Sequence, residues 1–294
     1  MELRQLRYFV AVAEELHFRR AAARLHVAQP AVSQQIKALE RELGVELLRR
    51  DSRHVELTPS GAALLERARR LLADADEAAR ATSAAEAAMT GRVRLCYSIG
   101  ADVGAPADLV RRYRSRNPAV DLQLRIGFDT DNLRALRHGE VDAAFVWLPV
   151  PDHDGVATLW VASVPFVAIL PTSHPLAARD RVPIAAFAAE PIVLFEQELS
   201  PGAFERIVAD IHAPHGIRPR IVGRQPTPET MAETVAGGGA VTVMAQARAH
   251  ARPADGVVSR PFEPPVPHVD IGVAWFVGNA NPSLTDFLVV AREG

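Results

Sequence analysis

The sequence predicts a fold in two parts, an N-terminal winged helix-turn-helix and a C-terminal α/β domain, joined by a long helix. Three observations carry this. The first residues hold short amphipathic helices separated by a tight break at HVAQP. An Ala-rich helical stretch follows, with a narrow apolar stripe. From Arg92 onward, apolar strand-like runs alternate with helical patterns, as α/β sheets require.

Taken in order, Leu6, Phe9, Val10, Ala13 and Leu16 fall on one face of a first helix. A second runs from Phe18 to Leu25, where the small Ala21 and Ala22 let another helix cross closely. Val27 anchors the turn, and Pro30 suits the first turn of a third helix, where its missing N–H is no loss. In that helix Val32, Ile36, Leu39 and Leu43 share a face, and Gly44 ends it. Leu47, Leu48, Val55 and Leu57 flank an Arg-rich polar turn, which reads as a short hairpin or wing. Thr58 and Pro59 form a cap and first position for a helix over 59–89, closed by Thr90-Gly91. Its stripe of Leu64, Leu65, Ala68, Leu71, Leu72, Ala75 and Ala79 is too long for one helix to bury alone. A partner helix, and so a homodimer, is expected, with packing on its own domain as the plainer reading. Strands are expected at Val93–Tyr97, Val120–Ile126, Ala143–Trp147, Phe166–Leu170, Ile192–Phe195, Arg220–Val222, Val241–Met244 and Asp270–Phe276, mostly in parallel pairing.

Bulk properties narrow the function classes. The 294 residues suffice for two domains, and the 48% hydrophobic content describes a well-packed soluble protein. Net charge is -2, which argues against indiscriminate nucleic-acid binding, although residues 1–60 hold ten basic against eight acidic side chains. The single cysteine, Cys96, excludes an intrachain disulfide scaffold, and its place in an apolar strand favours a buried, inert thiol. MELRQLRYFVAVAEELHF is charged throughout and does not read as a signal peptide. No run approaches ~20 apolar residues, so no membrane span is expected and a cytoplasmic location follows.

The third helix turns Gln29, Pro30, Ser33, Gln34 and Lys37 away from its apolar face. Amide, hydroxyl and cationic groups suit base edges in the major groove of double-stranded DNA, and no carboxylate stands among them to repel phosphate. Arg49, Arg50 and Arg53 in the wing suit the phosphate backbone. The solvated face of an ordinary three-helix core would carry similar residues.

The stretches LRYFVAVAEELHF, RAAARLHVAQPAVSQQIKALERELGVELL and VELTPSG resemble the winged helix-turn-helix of LysR-type transcriptional regulators. The following long helix, the α/β remainder, HPLA at 174–177 and AGGGAVTVM extend the resemblance over essentially the whole chain. Departures are Ala28, where the family often has a capping Ser, Arg19 opening the second helix, Leu48 for a frequent Phe, and Asp51 in the wing. The resemblance implies residues 1–58 as the DNA-binding domain, 59–91 as the linker and dimerisation helix, and 92–294 as an effector-binding domain resembling periplasmic binding proteins. Crossovers near Val161–Ser163 and Pro267–Val269 would divide it into lobe I (92–161 and 268–294) and lobe II (162–267). A small organic effector would sit between the lobes. Candidate contacts are Ser98, Ile99 and Gly100 as an anion cradle, with Thr130 as the family's second hydroxyl position. Trp147, Phe195, Ser200, Pro201 and Phe204 complete the candidate cleft. Asp129, Asp131 and Glu196 are unusual neighbours for an anionic effector, and could instead be solvated or select an amine or hydroxyls. A homotetramer, an interrupted palindromic operator and contact with RNA polymerase are further implications.

Catalysis is not expected. No GxSxG, HExxH or paired-carboxylate arrangement has supporting context. His212 and His215 flank Pro214 without a third metal ligand, and Gly237-Gly238-Gly239 reads as a helix-ending turn. No metal or cofactor is therefore expected. The rival reading is a small-molecule binding protein or enzyme whose N-terminal helices form an interaction module that does not read DNA.

Overall fold

The computed structural model describes residues 1–50, 55–150 and 155–293, and divides into two compact units, Met1–Ala79 and Arg80–Gly294. The first unit opens with α1 (Leu3–Glu15), α2 (Phe18–Arg24) and α3 (Gln29–Leu43). Antiparallel β1 (Leu48–Arg50) and β2 (Val55–Leu57) follow, then α4 (Pro59–Thr90). Phe9, Val12, Ala21, Val32, Ile36 and Leu39 are fully buried, so the three short helices close on one core. Gly44 adopts φ 69° at the end of α3, a left-handed conformation that glycine enters without a Cβ penalty. Ala28 at the N-cap makes no side-chain bond, as the missing Ser implies. Leu43 and Leu16, expected inward, are 38% and 48% exposed because each lies in the turn where its helix ends.

Two carboxylates fasten this unit. Glu40 accepts hydrogen bonds from the amides of Leu47 (3.0 Å) and Leu48 (3.2 Å), holding the start of β1 against α3. Glu14 pairs with Arg24 and with Arg69 (2.8 Å each), tying α1 to α2 and α4. Thr58 Oγ1 accepts from Gly61 N at 2.9 Å and starts α4. The α4 stripe divides: Leu64, Leu65, Ala68 and Leu72 pack on the head's own core, whereas Leu71 stays 43% exposed.

The second unit contains β3 (Arg92–Ser98), α5 (Ala105–Arg116), β4 (Asp121–Gly127), α6 (Asp129–Arg137) and β5 (Ala143–Leu148). Then come β6 (Val156–Pro171), α7 (Ile184–Ala188), β7 (Pro191–Leu194), α8 (Pro201–Ile207), β8 (Arg220–Arg224) and α9 (Pro228–Ala236). The chain ends with β9 (Thr242–Ala245), α10 (Gln246–Ala251), β10 (Val257–Pro261), β11 (His268–Phe276) and α11 (Pro282–Arg292). The larger sheet runs β10-β6-β11-β5-β3-β4, with β9 also on β6, and β7 pairs β8 separately.

Pairing departs from the expected mostly parallel arrangement. Among the described strands the ladders of β3 with β4, β3 with β5, and β7 with β8 are parallel, while β6, β9, β10 and β11 pair antiparallel. The cause is β6, a single long strand that pairs β11 up to Pro165 and β9 and β10 from Phe166 onward. It carries the chain from one sheet region to the next, and β11 runs back beside it. This exchange lies beyond the Val161–Ser163 expected from the sequence.

Candidate functional site

On the first unit, the burial of α3 is one-sided. Val32, Ile36 and Leu39 are fully buried, while Gln29, Pro30, Gln34 and Lys37 are exposed and Ser33 is half-buried between them. These five residues border one open concave surface, which continues through Arg41 to Gly44 and Glu46. Arg49 on β1 is exposed, Arg50 closes β1 opposite Val55, and Arg53 lies outside the described residues, as does Asp51. The carboxylate of Glu40, which borders the same surface, is held by the two backbone amides of the wing. A helix that buries one side completely and presents amides, a hydroxyl and a cation on the other can enter a major groove and bond base edges.

In the second unit a cavity opens between the β3–α5 turn, the ends of β5 and β7, and the helices α8 to α10. Its walls are apolar: Phe128, Phe166, Ile207, Met231, Val243 and Val269 all face it. Of the expected contacts, Ile99, Gly100, Trp147, Phe195 and Ser200 line it. Gly100 stands at φ 87°, a left-handed conformation that glycine enters without a Cβ penalty, and it lies against the Trp147 ring. Trp147 Nε1 donates to Ile99 O at 3.2 Å and fixes that ring as a wall.

Four expected contacts sit elsewhere. Thr130 donates to the carbonyl oxygens of Glu198 and, at 3.4 Å, Leu199, outside the cavity lining. Phe204 is buried edge-on against Phe195, and Pro201 starts α8 without reaching the lining. Ser98 is only 1% exposed and lies behind the wall. Its hydroxyl donates to Asp129, as does that of Ser200 from the other side. The amide of Trp147 also points at Asp129 Oδ1, at 3.4 Å. Asp129 is 4% exposed, and burial pushes its carboxyl up to about 6 against the opposing pull of Ser200, Ser98 and the Trp147 amide. The position expected to carry a hydroxyl toward a ligand therefore carries a resident carboxylate.

Sequence reasoning missed Arg248, the only other polar side chain lining the cavity besides Ser200 and the Trp147 indole. Arg248 is 5% exposed; its Nη1 donates to both oxygens of Asp102 (2.6 and 2.8 Å) and its Nη2 to Glu229. These partners lie 146 and 19 residues away, so no local spacing could have pointed to them. Elsewhere, Cys96 is buried with its thiol pushed up to about 12 by desolvation. Among the described residues no group of three or more His, Cys, Asp and Glu side chains could hold a metal ion, and no helix is long and apolar enough to cross a membrane.

A winged helix-turn-helix whose third helix is polar on its exposed side, and a separate α/β unit with an apolar cavity, define a DNA-binding protein with a small-molecule-sensing domain. Residues 3–62 match the family model of the bacterial regulatory helix-turn-helix protein, lysR family, and residues 86–294 match that of the LysR substrate binding domain. The chain is 35% identical to the HTH-type transcriptional regulator IlvR of Caulobacter vibrioides, over 100% of its own length and 98% of the relative's. It is 31% identical to the regulator XapR of Escherichia coli, over 99% and 98%. The crystal structure of full-length CbnR complexed with its target DNA matches with a TM-score of 0.60 at 27% identity, covering 100% of this chain and 99% of that one. The protein therefore belongs to the LysR family. It is a DNA-binding transcriptional regulator with an effector-binding domain, and not an enzyme.

Proposed function

We propose that α3 lies in the major groove and reads base edges through Gln29, Ser33, Gln34 and Lys37, with Pro30 shaping its first turn. Arg49, Arg50 and Arg53 meet the phosphate backbone beside it. The observation that carries this is the one-sided burial of α3, which leaves a hydrogen-bonding stripe free of carboxylates at Gln29, Ser33, Gln34 and Lys37 opposite a closed core. Residues 1–58 act as the DNA-binding domain and 59–91 as the linker. The exposed Leu71 side of the 59–89 segment pairs with a second copy, and effector domains associate further into a tetramer. Two heads then meet the halves of an interrupted palindrome, in keeping with the relative crystallised on its target DNA. The protein works in the cytoplasm, with RNA polymerase as a further partner.

Within 92–294, lobe I (92–161 and 268–294) and lobe II (162–267) enclose the effector in the cavity bordered by Ile99, Gly100, Trp147, Phe195 and Ser200. Effector binding shifts the closure of the lobes and so biases the DNA-bound state. Gel shift with the DNA flanking the protein's own gene tests the reading. Gln29→Ala and Ser33→Ala should each weaken operator binding by ~1–3 kcal/mol and leave binding to unrelated DNA unchanged. Wild-type affinity for the operator in both variants would remove α3 from the groove.

A further inference from the structure

We propose that the effector cavity takes a neutral, mainly apolar molecule with one hydrogen-bond acceptor, seated on Nε of Arg248, and that Asp129 fills the place an anionic head group would need. The inference rests on the reading of this cavity as the effector site and names the ligand's chemical class.

Two independent observations carry it. The first is the pair of serines. Ser98 and Ser200 reach toward one point from opposite sides, as an anion cradle would, but both hydroxyls donate to the buried Asp129 carboxylate. Asn132 Nδ2 lies 3.4 Å from Ser98 Oγ and adds to the same closed network. An effector carboxylate arriving there would find the donors committed and a like charge behind them. The second is Arg248. Its two Nη atoms serve Asp102 and Glu229, so its charge is already met by two carboxylates. Its Nε is buried and finds no partner among the described residues, although the side chain lines the cavity. A buried donor without an acceptor is unfavourable, and a ligand oxygen would relieve it. An ammonium group has no lone pair for that donor, and of the lining only the Ser200 hydroxyl could accept from it in place of its water, since Phe166, Met231, Val243 and Val269 hold no acceptor. The lining is concave and mostly apolar with few polar groups, the make-up of a small-molecule site.

The test compares four probes of similar shape by titration calorimetry on the full-length protein: acetophenone, ethylbenzene, benzoate and benzylammonium. Acetophenone should bind roughly tenfold tighter than each of the others, the margin expected for an acceptor on a buried charged donor. Arg248→Lys keeps a cation between Asp102 and Glu229 but lacks Nε; it should bring acetophenone down to the affinity of ethylbenzene and leave ethylbenzene unchanged. If that variant fails to fold, the wild-type ranking decides alone. Tightest binding by benzoate or benzylammonium would overturn the ligand class while leaving the cavity as the effector site. Equal binding of acetophenone and ethylbenzene would overturn the role of Nε. Binding by none of the four would overturn the proposed class, and the regulator reading would still stand or fall separately on the operator gel shift.

Discussion

Replacing Asp129 by Asn should make the effector domain more stable at neutral pH and no more stable at pH 4. Asp129 is 4% exposed, and burial moves its carboxyl from the ordinary 3.8 to about 6. Below the ordinary value it is protonated in both the folded and unfolded chain, and its favourable contribution is fully present. As pH rises through about 6 the folded chain must carry a buried carboxylate that the unfolded chain keeps in water, and that contribution is lost. At ~1.36 kcal/mol per pH unit the displacement amounts to roughly 3 kcal/mol. For a unit spanning Arg80–Gly294 this corresponds to roughly 6–12 °C in Tm. Asn is the right replacement because its carbonyl can still accept from Ser98 while its amide donates to the Ser200 oxygen. The assay is calorimetry of both proteins from pH 4 to 8, reading the Tm difference so that every other titrating group cancels. The difference should be near zero at pH 4 and widen between 4 and 7. A flat difference, or a variant less stable at pH 7 than at pH 4 relative to wild type, would refute the idea that desolvation governs this carboxyl.

Three further outcomes follow from the same geometry. Glu40→Ala leaves the amides of Leu47 and Leu48 without their acceptor, and should lower the stability of the head by ~1–3 kcal/mol in thermal unfolding, with DNA affinity falling through the loosened wing. Arg49→Ala, at an exposed wing position proposed to meet phosphate, should weaken binding to all DNA sequences alike and reduce the slope of log affinity against log salt by about 1, measured by fluorescence anisotropy over a salt series. Leu71→Asp places a charge on the exposed side of α4; light scattering should then show loss of the dimer while circular dichroism stays unchanged, because Leu64, Leu65 and Leu72 keep their packing.

Much of the fold was legible because periodicity and caps agreed with tertiary packing. The α3 boundaries followed from Pro30 and Gly44, and most strands of the second unit from compact apolar runs. The first half of β6 was not legible, and the reason is Pro165. A proline inside an apolar run argues against a central strand, since it cannot donate to a ladder. Here it falls where β6 exchanges β11 for β9 and β10, and the next amide, Phe166 N, goes to Pro267 O at 2.8 Å. The missing donor sits at the crossing itself. Antiparallel pairing was hidden for the same reason, since it arises from long strands returning between regions rather than from repeated strand–helix units. The α4 stripe was legible only in part: sequence shows an apolar face but not which neighbour covers each residue, and the head's own core takes Leu64, Leu65, Ala68 and Leu72 while Leu71 stays exposed.

The cavity turned on a single residue of register. In GFDTDN the family resemblance put the second hydroxyl position at Thr130. But α6 begins at Asp129 after the extended Phe128, and successive helix residues point about 100° apart. That rotation sends Thr130 to the carbonyls of Glu198 and Leu199 and aims Asp129 at Ser98 and Ser200. Sequence patterns recover which segment borders a pocket, since strand ends and helix starts are robust features. They do not recover which of two adjacent polar side chains enters it, because that depends on a boundary of one residue. In this protein the two candidates carry opposite consequences: a threonine would offer a proton to a ligand, whereas the aspartate withdraws two serine protons from one. The chemistry of the proposed effector site is thus set by where α6 starts.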